Sequence, residues 1–363
     1  MNTKLAALRA RMKTTDTDLV VLGPGAHQKW LIGFHTYPDE RPCFMFIGQE
    51  KEVFVMPELN ADEAKNKAPF HYEVWRDADG PQNAIESALR LVSPSGGIKR
   101  YALDETMRTD FSFLLMRHLV NSEACLTNDT IGLLRMCKSQ DEYLLLKQNA
   151  LIADEAVRRA MAAVRVGVTE NHLAAIVRDT FSKAGAETLF TMVASGPNGA
   201  LPHYESGDRV LQDGDVVIID IGGTRDGYCS DITRVAVVGE PPSDFAFVYE
   251  TVERAVQAAL RVAKPGVRAK DVDIAARNVI RDAGFGEYFL HRTGHGLGSE
   301  VHEQPFITGS SETILEEGMV FSIEPGIYLH NKYGIRLEEI VILRKDVPEI
   351  FSEIPRHYVN CTA

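Results

Sequence analysis

Apolar residues along the chain recur with two periods, and the change of period divides the sequence into helices and strands. Leu5, Leu8 and Met12 mark one face of an opening helix. Residues 18–23 form a short apolar strand that ends at Gly23-Pro24-Gly25, and residues 43–47 and 52–56 form two more strands around a Gly48-Gln49 turn. Helical spacing predicts helices over 83–92 and 109–120, with a short strand at 101–104 between them. After a break near Asn128-Asp129 a long helix is predicted over 139–166, with Leu144, Leu145, Leu151, Ala156 and Met161 as its buried stripe. A second helix follows over 169–184, with Glu170 in its first turn. From Val210 onward strands, glycine-rich turns and histidine-rich loops dominate, interrupted by helices at 247–263 and 269–283. The pattern predicts an α+β protein, with a smaller α/β domain over 1–129 and a larger domain over 130–363.

Composition narrows what such a chain does. With 363 residues, 45% of them hydrophobic, it can bury a large core. A formal net charge of -12 argues against nucleic acid as a partner, because phosphate binding draws on clustered Lys and Arg. The five cysteines include no C-x-x-C pair, so a disulfide framework is not expected and a reducing compartment fits. Residues 1–13 alternate charged with apolar residues and lack the apolar run of a secretory leader, and no stretch is long enough to span a bilayer. A cytoplasmic protein without membrane contact is expected.

The candidate chemistry lies in four segments of the second half. Val216-Val-Ile-Ile runs as a buried strand to Asp220 at its end; Gly222, Gly223 and Gly227 then supply a turn, and a second strand carries Asp231. His291, His295 and His302 fall within twelve residues among glycines that allow close backbone approach. An apolar strand ends in Glu324 before Pro325-Gly326. Alternation sets Arg336, Glu338, Ile340 and Ile342 on one strand face, which turns Glu338 inward. Each acid has a plainer reading alone: Asp220 and Asp231 as turn formers or partners of Arg234, Glu338 as a partner of Arg336, each His as a structural imidazole. Together these readings must all hold at once. Four carboxylates and a neutral imidazole are balanced by about two divalent cations, as in two-metal hydrolytic sites. Mostly oxygen ligands with one imidazole suit Mn²⁺ and tolerate Co²⁺, Zn²⁺ or Fe²⁺.

At these residues the sequence resembles the pita-bread metallopeptidases, which include methionine aminopeptidase, Xaa-Pro aminopeptidase, prolidase and creatinase. The likeness rests on the Asp220-to-Asp231 interval, Gly-His295-Gly followed by His302-Glu303, Glu324-Pro325-Gly326 and Arg336-x-Glu338. It implies that Asp220 and Asp231 hold one ion and bridge to a second, that His295 and Glu324 complete one ion's shell, and that Glu338 bridges. The stretch from Ser195 to His203 also looks like the family and implies a substrate-side imidazole at His203, with His302 as a second one. His27-Gln-Lys-Trp30-Leu-Ile-Gly33-Phe34 is similar to the start of the creatinase/prolidase N-terminal domain, which points to the Xaa-Pro-cleaving branch and to a homodimer.

The resemblance implies hydrolysis of Xaa-Pro bonds, as aminopeptidase or dipeptidase, by a hydroxide that bridges two metals. Glu324 would move the proton, His203 and His302 would steady the oxyanion, and Arg336 would orient a ligand carboxylate. One departure matters: several prolidases carry an Arg after His-Glu-x-Pro, where this chain has Phe306, and Arg292 or an N-terminal Arg could take its place. Longer peptides or a small non-peptide amide are therefore admissible substrates. A catalytically inactive binding module on the same scaffold is the reading from a different class.

Overall fold

The computed structural model describes residues 3–361. The chain divides into two compact units, Met1–Arg135 and Met136–Ala363.

The first unit contains α1 (Thr3–Thr14), β1 (Leu19–Leu22), α2 (Ala26–Ile32), β2 (Phe44–Gly48), β3 (Glu52–Pro57), α3 (Glu58–Lys67), β4 (His71–Trp75), α4 (Gln82–Val92), β5 (Arg100–Leu103), α5 (Thr109–His118), β6 (Glu123–Leu126) and α6 (Ile131–Met136). Six strands form one mixed sheet in the order β4-β3-β2-β1-β5-β6. Alternate residues of its central strands enter two cores. Leu19, Val21, Phe44, Phe46 and Val53 pack with α4 and α5, while Val20, Leu22, Met45, Ile47 and Phe54 pack with Leu5, Leu8 and Met12 of α1. Covered on both faces, these strands read as unbroken apolar runs.

One polar knot ties the ends of this unit's elements together. His27 Nε2 lies 3.1 Å from Glu105 Oε1 and 3.2 Å from the Thr127 hydroxyl, which also bonds Glu105. Arg135 Nη1 donates to His27 Nδ1 at 3.0 Å, so Nε2 carries the proton that faces Glu105.

The second unit contains α7 (Gln140–Ala162), α8 (Glu170–Lys183), β7 (Glu187–Ser195), β8 (Val216–Arg225), β9 (Tyr228–Cys229), β10 (Ile232–Val238), α9 (Phe245–Val262), α10 (Ala269–Asp282), β11 (Gly294–Gly296), β12 (Glu303–Ile307), β13 (Val320–Ile323), β14 (Gly326–Leu329), β15 (Tyr333–Arg336), β16 (Glu339–Leu343), β17 (Pro348–Ile350) and β18 (Val359–Cys361). One sheet runs β18-β10-β8-β7, a second runs β12-β11-β13-β16-β17, and β14 and β15 form a two-stranded ribbon. α7 and α8 pack on the first sheet through Ala153, Val157, Ala160, Leu173 and Val177 against Val217, Ile219 and Ala236. This is the arrangement of sheets and helices that the resemblance to the pita-bread metallopeptidases implies.

Three sequence expectations need correction. The α7 stripe holds at Ala156 and Met161 but is displaced before them: Leu144 and Leu151 are exposed, whereas Glu142, Leu146, Asn149, Ala153 and Asp154 are buried. The buried polar residues have partners that hydrophobic patterning does not count. Asn149 Nδ2 donates to Arg225 O at 3.1 Å, and Asp154 accepts from Ser352 Oγ at 2.6 Å and Glu353 N at 2.7 Å. β7 carries no clean alternation and was not anticipated, yet it pairs with β8 along most of its length. Asp220 lies in the middle of β8 and not at its end. Gly222 and Gly223 continue that strand because a Cβ there would fall 2.2 Å from the Phe190 ring and 2.5 Å from the Phe181 ring. The turn itself is made by Asp226 (φ 53) and Gly227 (φ 82).

Partial burial alone would raise the Glu105 carboxyl, but the hydrogen bond from His27, with that of the Thr127 hydroxyl, holds it at about 2. A depressed carboxylate contributes stability above its unfolded pKa and loses it as pH falls through the folded value. Glu105→Gln should therefore cost about 1 kcal/mol at pH 7, most of the pairing being screened by solvent. In urea unfolding that difference should shrink between pH 4.5 and 2, the interval bounded by the unfolded and folded values. A difference that stays constant down to pH 2 would contradict this role.

Candidate metal centre

All five residues expected as ligands line one cavity of about 930 Å³ within the second unit, together with His203, His291, Arg292, His302 and Arg336. The strands bring them there. β8 and β10 pair antiparallel with Asp220 opposite Thr233, so Asp231, just before β10, falls near Asp220. From the second sheet come His295 in the middle of β11 and Glu324 immediately after β13. Glu338 occupies the break between β15 and β16.

β11 sits so tightly between its neighbours that only glycine fits beside His295. A Cβ on Gly294 would lie 1.9 Å from Ser322 O, and one on Gly296 would lie 2.1 Å from Gln304 O. These glycines let the strand carry a buried imidazole inward with its backbone pressed against both partners.

One ligand atom each of Asp231, His295 and Glu338 lie within 4.8 Å of one another. His295 Nε2 is 3.1 Å from Glu324 Oε1 and 3.7 Å from Asp231 Oδ2, while His295 Nδ1 faces Gly296 O at 3.1 Å. Nδ1 donates to that backbone carbonyl, which turns Nε2 toward the acids. Hydrogen bonds fix the carboxylates from behind. Thr233 Oγ1 donates to Glu338 Oε2 at 2.8 Å, Ser322 Oγ donates to Glu324 Oε1 at 2.9 Å, and Arg336 Nη2 bonds Asp220 Oδ2. Arg336 also donates to the Tyr328 hydroxyl at 2.7 Å, and that hydroxyl meets His291 Nε2 at 2.7 Å.

Two oxygens are left over: Asp220 Oδ1 and Glu338 Oε1 are buried with no hydrogen-bond partner. Burial pushes the Asp231 carboxyl well above the usual range, and the charges of Glu338, Asp220 and Glu324 push it further. Burial and the charges of Glu324 and Asp220 do the same to Glu338. Burial also acts on Glu324, but His295, His291 and Arg336 outweigh it and hold that carboxyl at about 2. Several acids compete here for too little positive charge, which is the condition a divalent cation relieves. Hard oxygen donors, one imidazole and unpaired buried oxygens fit such an ion.

Two plainer sequence readings do not hold. Arg336 bonds Asp220 and not Glu338. Arg234, fully buried, leaves the aspartates alone and bonds Glu339 Oε1 at 3.0 Å, Ser352 Oγ at 3.1 Å, Ile354 O at 2.8 Å and Glu338 O at 2.5 Å. Thr233, Ser322 and Tyr328 were missed, although strand periodicity could have found two of them. Thr233 lies two residues after Asp231, and Ser322 two before Glu324, each on its acid's side of the strand.

His203 is exposed on a loop that reaches the cavity, and Glu170 holds that loop. Buried at the start of α8, Glu170 accepts from Ser195 N (2.8 Å), Ser195 Oγ (2.7 Å), Asn198 Nδ2 (3.0 Å), Tyr204 Oη (3.0 Å) and Gly207 N (3.2 Å). His302 packs edge-on to His295, with ring centroids 4.2 Å apart. Burial, then the charges of His295 and Arg292, push its pKa down to about 4, so it is neutral at pH 7.

Comparison with known proteins identifies the family. Residues 145–345 match the model of metallopeptidase family M24, and residues 4–137 match the Creatinase/Prolidase N-terminal domain. The chain belongs to this metallopeptidase family. It is similar to the Xaa-Pro dipeptidase of Pyrococcus furiosus, at 41% identity over 305 residues, 84% of this chain and 85% of that one. The crystal structure of dipeptidase PepE from Mycobacterium ulcerans superposes with a TM-score of 0.93 at 34% identity, covering 99% of this chain and 98% of that one. The prolidase of Thermococcus sibiricus gives a TM-score of 0.89 at 32% identity, with 99% and 98% covered. The chain is thus a metallopeptidase with an M24-type catalytic unit.

The Glu170 anchor yields a direct test. Glu170→Gln turns an acceptor oxygen into a donor facing donors, and should cost about 2–4 kcal/mol in chemical unfolding through unmet hydrogen bonds. Amide exchange at Ser195 and Gly207 should accelerate with it; unchanged protection at both would remove Glu170 as the organiser of the His203 loop.

Proposed function

We propose that this metallopeptidase hydrolyses the Xaa-Pro bond of short peptides, with Asp220, Asp231, His295, Glu324 and Glu338 holding two divalent cations. The observation that carries the reading is the pair of unpartnered buried oxygens, Asp220 Oδ1 and Glu338 Oε1, within a knot of acids around one imidazole. The relatives named as Xaa-Pro dipeptidase and prolidase supply the substrate class.

Cations bound there would polarise the scissile carbonyl and lower the pKa of a water. Glu324, held at about 2, is ionised at neutral pH and can accept the proton of an attacking water and return it to the departing proline nitrogen. His302, neutral at pH 7, and His203 on the opposite loop are hydrogen-bond donors available to the oxyanion. Arg336 keeps Asp220 in one orientation through its bond to Oδ2, and its own place is fixed by Tyr328 and Thr233. The apolar side of the cavity, with Leu189, Phe190 and Val301, suits a prolyl ring.

Mn²⁺ as the native metal, a homodimer and a cytoplasmic location belong to the same proposal. The donor set favours the first, and family resemblance suggests the second. No described helix is long and apolar enough to cross a membrane.

Asp231→Asn should lower bound metal, measured by elemental analysis after Mn²⁺ loading, and reduce turnover of Xaa-Pro dipeptides by at least about 10³-fold. Full activity in that variant would refute the cage. A Mn²⁺-loaded digest of a peptide library should release residues that precede proline; cleavage without that preference would leave the peptidase and remove the Xaa-Pro assignment.

A further inference from the structure

Asp273 is a buried carboxylate outside the lining of the metal cavity, with no part in the chemistry described above. It sits in the second turn of α10, and its oxygens are filled from two sides. Arg277, one helical turn on, donates Nη2 to Asp273 Oδ1 at 2.9 Å and Nε to Oδ2 at 3.0 Å. Thr293, fully buried, donates its hydroxyl to the same Oδ1 at 2.8 Å. Its N–H is shared between that oxygen (3.1 Å) and Ile307 O (3.0 Å). Arg277 grips the same segment, with Nη2 on His291 O (2.9 Å), Nη1 on Phe289 O (3.2 Å) and Cζ 4.2 Å from the centroid of the Phe289 ring. One acid and one arginine of α10 thus hold Phe289, His291 and Thr293, the residues that lead into β11.

β11 needs an outside anchor. It is three residues long, and its register with β12 shifts between Gly294 and Gly296, so it has few ladder bonds of its own. Its two glycines offer no side chain to pack, and His295 faces the cavity. Thr293, immediately before them, has a side chain that can be held, and what is held there reaches the site. Thr293 O accepts the backbone N–H of Glu324 at 2.8 Å. Ser322 Oγ joins the same two groups a second time, accepting from His295 N at 2.9 Å and donating to Glu324 Oε1 at 2.9 Å. We propose that Asp273, aided by Arg277, is a positioning residue for hydrolysis: through Thr293 it fixes where Glu324 and His295 stand relative to each other. The inference rests on the peptidase reading above. Asp273 acts through other residues, and its contribution is geometric, since a displacement of about 1 Å at reacting groups costs on the order of 100-fold in rate.

Kinetics on alanyl-proline with the full-length Mn²⁺-loaded protein test it. Thr293→Val keeps the shape and removes the hydroxyl, and Asp273→Asn keeps the shape and removes the charge. Each should lower kcat by about 10- to 100-fold while KM stays within about twofold and bound Mn²⁺ is unchanged. Thr293→Ser returns the hydroxyl and should recover most of kcat. Ile280→Ala opens a cavity under the same helix and touches none of these side-chain hydrogen bonds. It should lower the unfolding midpoint at least as far as Thr293→Val does, yet keep kcat near the unsubstituted value. The inference is overturned, with the peptidase reading left standing, if Thr293→Val keeps full kcat, loses it only in proportion to lost metal, or shares its loss with Thr293→Ser or Ile280→Ala. Amide exchange in the metal-free protein separates the two claims. If no Xaa-Pro substrate is cleaved, the peptidase reading falls, and exchange of the Glu324 N–H decides the clamp. Acceleration in Thr293→Val that is absent from Thr293→Ser and Ile280→Ala supports it, and any other pattern overturns it.

Discussion

Mutual repulsion among buried carboxylates is the constraint around which the second unit is built. Asp231 and Glu338 are withdrawn from water beside Asp220 and Glu324, and ionised acids so placed are unfavourable without a compensating charge. One protein cation, Arg336, reaches the cluster with a direct ion pair to Asp220, and one imidazole, His295, faces Glu324 and Asp231. Everything else near the cluster holds the acids in place: Thr233 behind Glu338, Ser322 behind Glu324, Tyr328 behind Arg336. Rigidity on that scale needs strands, which is why the acids sit on or beside paired β-structure and not on loops. The histidines suited to act on substrate lie differently, His203 on an exposed loop and His302 just before β12.

Much of this was legible in the sequence because the chemistry is spaced by strand geometry. The acids stood out as polar residues in or at the ends of apolar strands, and His295 as one of three histidines among glycines that signalled close approach. Where hydrophobicity was a poor guide, the reading slipped. The buried face of α7 carries Glu142, Asn149 and Asp154, whose burial depends on partners up to 199 residues away in sequence, and no local pattern reveals such partners. In β8 the same glycines that suggested a turn are instead spaces for two aromatic rings. Arg234 looked like a neighbour of the aspartates by proximity in sequence, yet strand alternation turns it to the opposite side, toward Glu339.

The first unit was easier to read than its chemistry. Its central strands β1, β2, β3 and β5 are nearly continuous apolar runs because both faces are covered, whereas the largely exposed edge strands β4 and β6 carry no such run and were not anticipated. The His27–Glu105–Thr127 knot was not foreseen, since its members come from three separate segments. Three potential ligands, His27, Asp104 and Glu105, come close together there, but both nitrogens of His27 are already engaged and a guanidinium adjoins it. The comparison with the second unit is instructive: similar residue types make a satisfied network in one place and an under-neutralised one in the other.

The parallel pairing of β18 with β10 carries a consequence for how the protein is made. β10 continues directly from Asp231 and is flanked by β8 on one side and β18 on the other, while Arg234 within it is held by Ser352 and Ile354. The outer neighbour of that strand, and the groups that satisfy its buried guanidinium, are translated more than a hundred residues after it. A nascent chain halted after Glu338 would own every acid of the cluster yet lack the clamp that keeps β10 in register. Competence to bind a cation should therefore arise only once β18 has emerged from the ribosome, and not progressively as each ligand emerges.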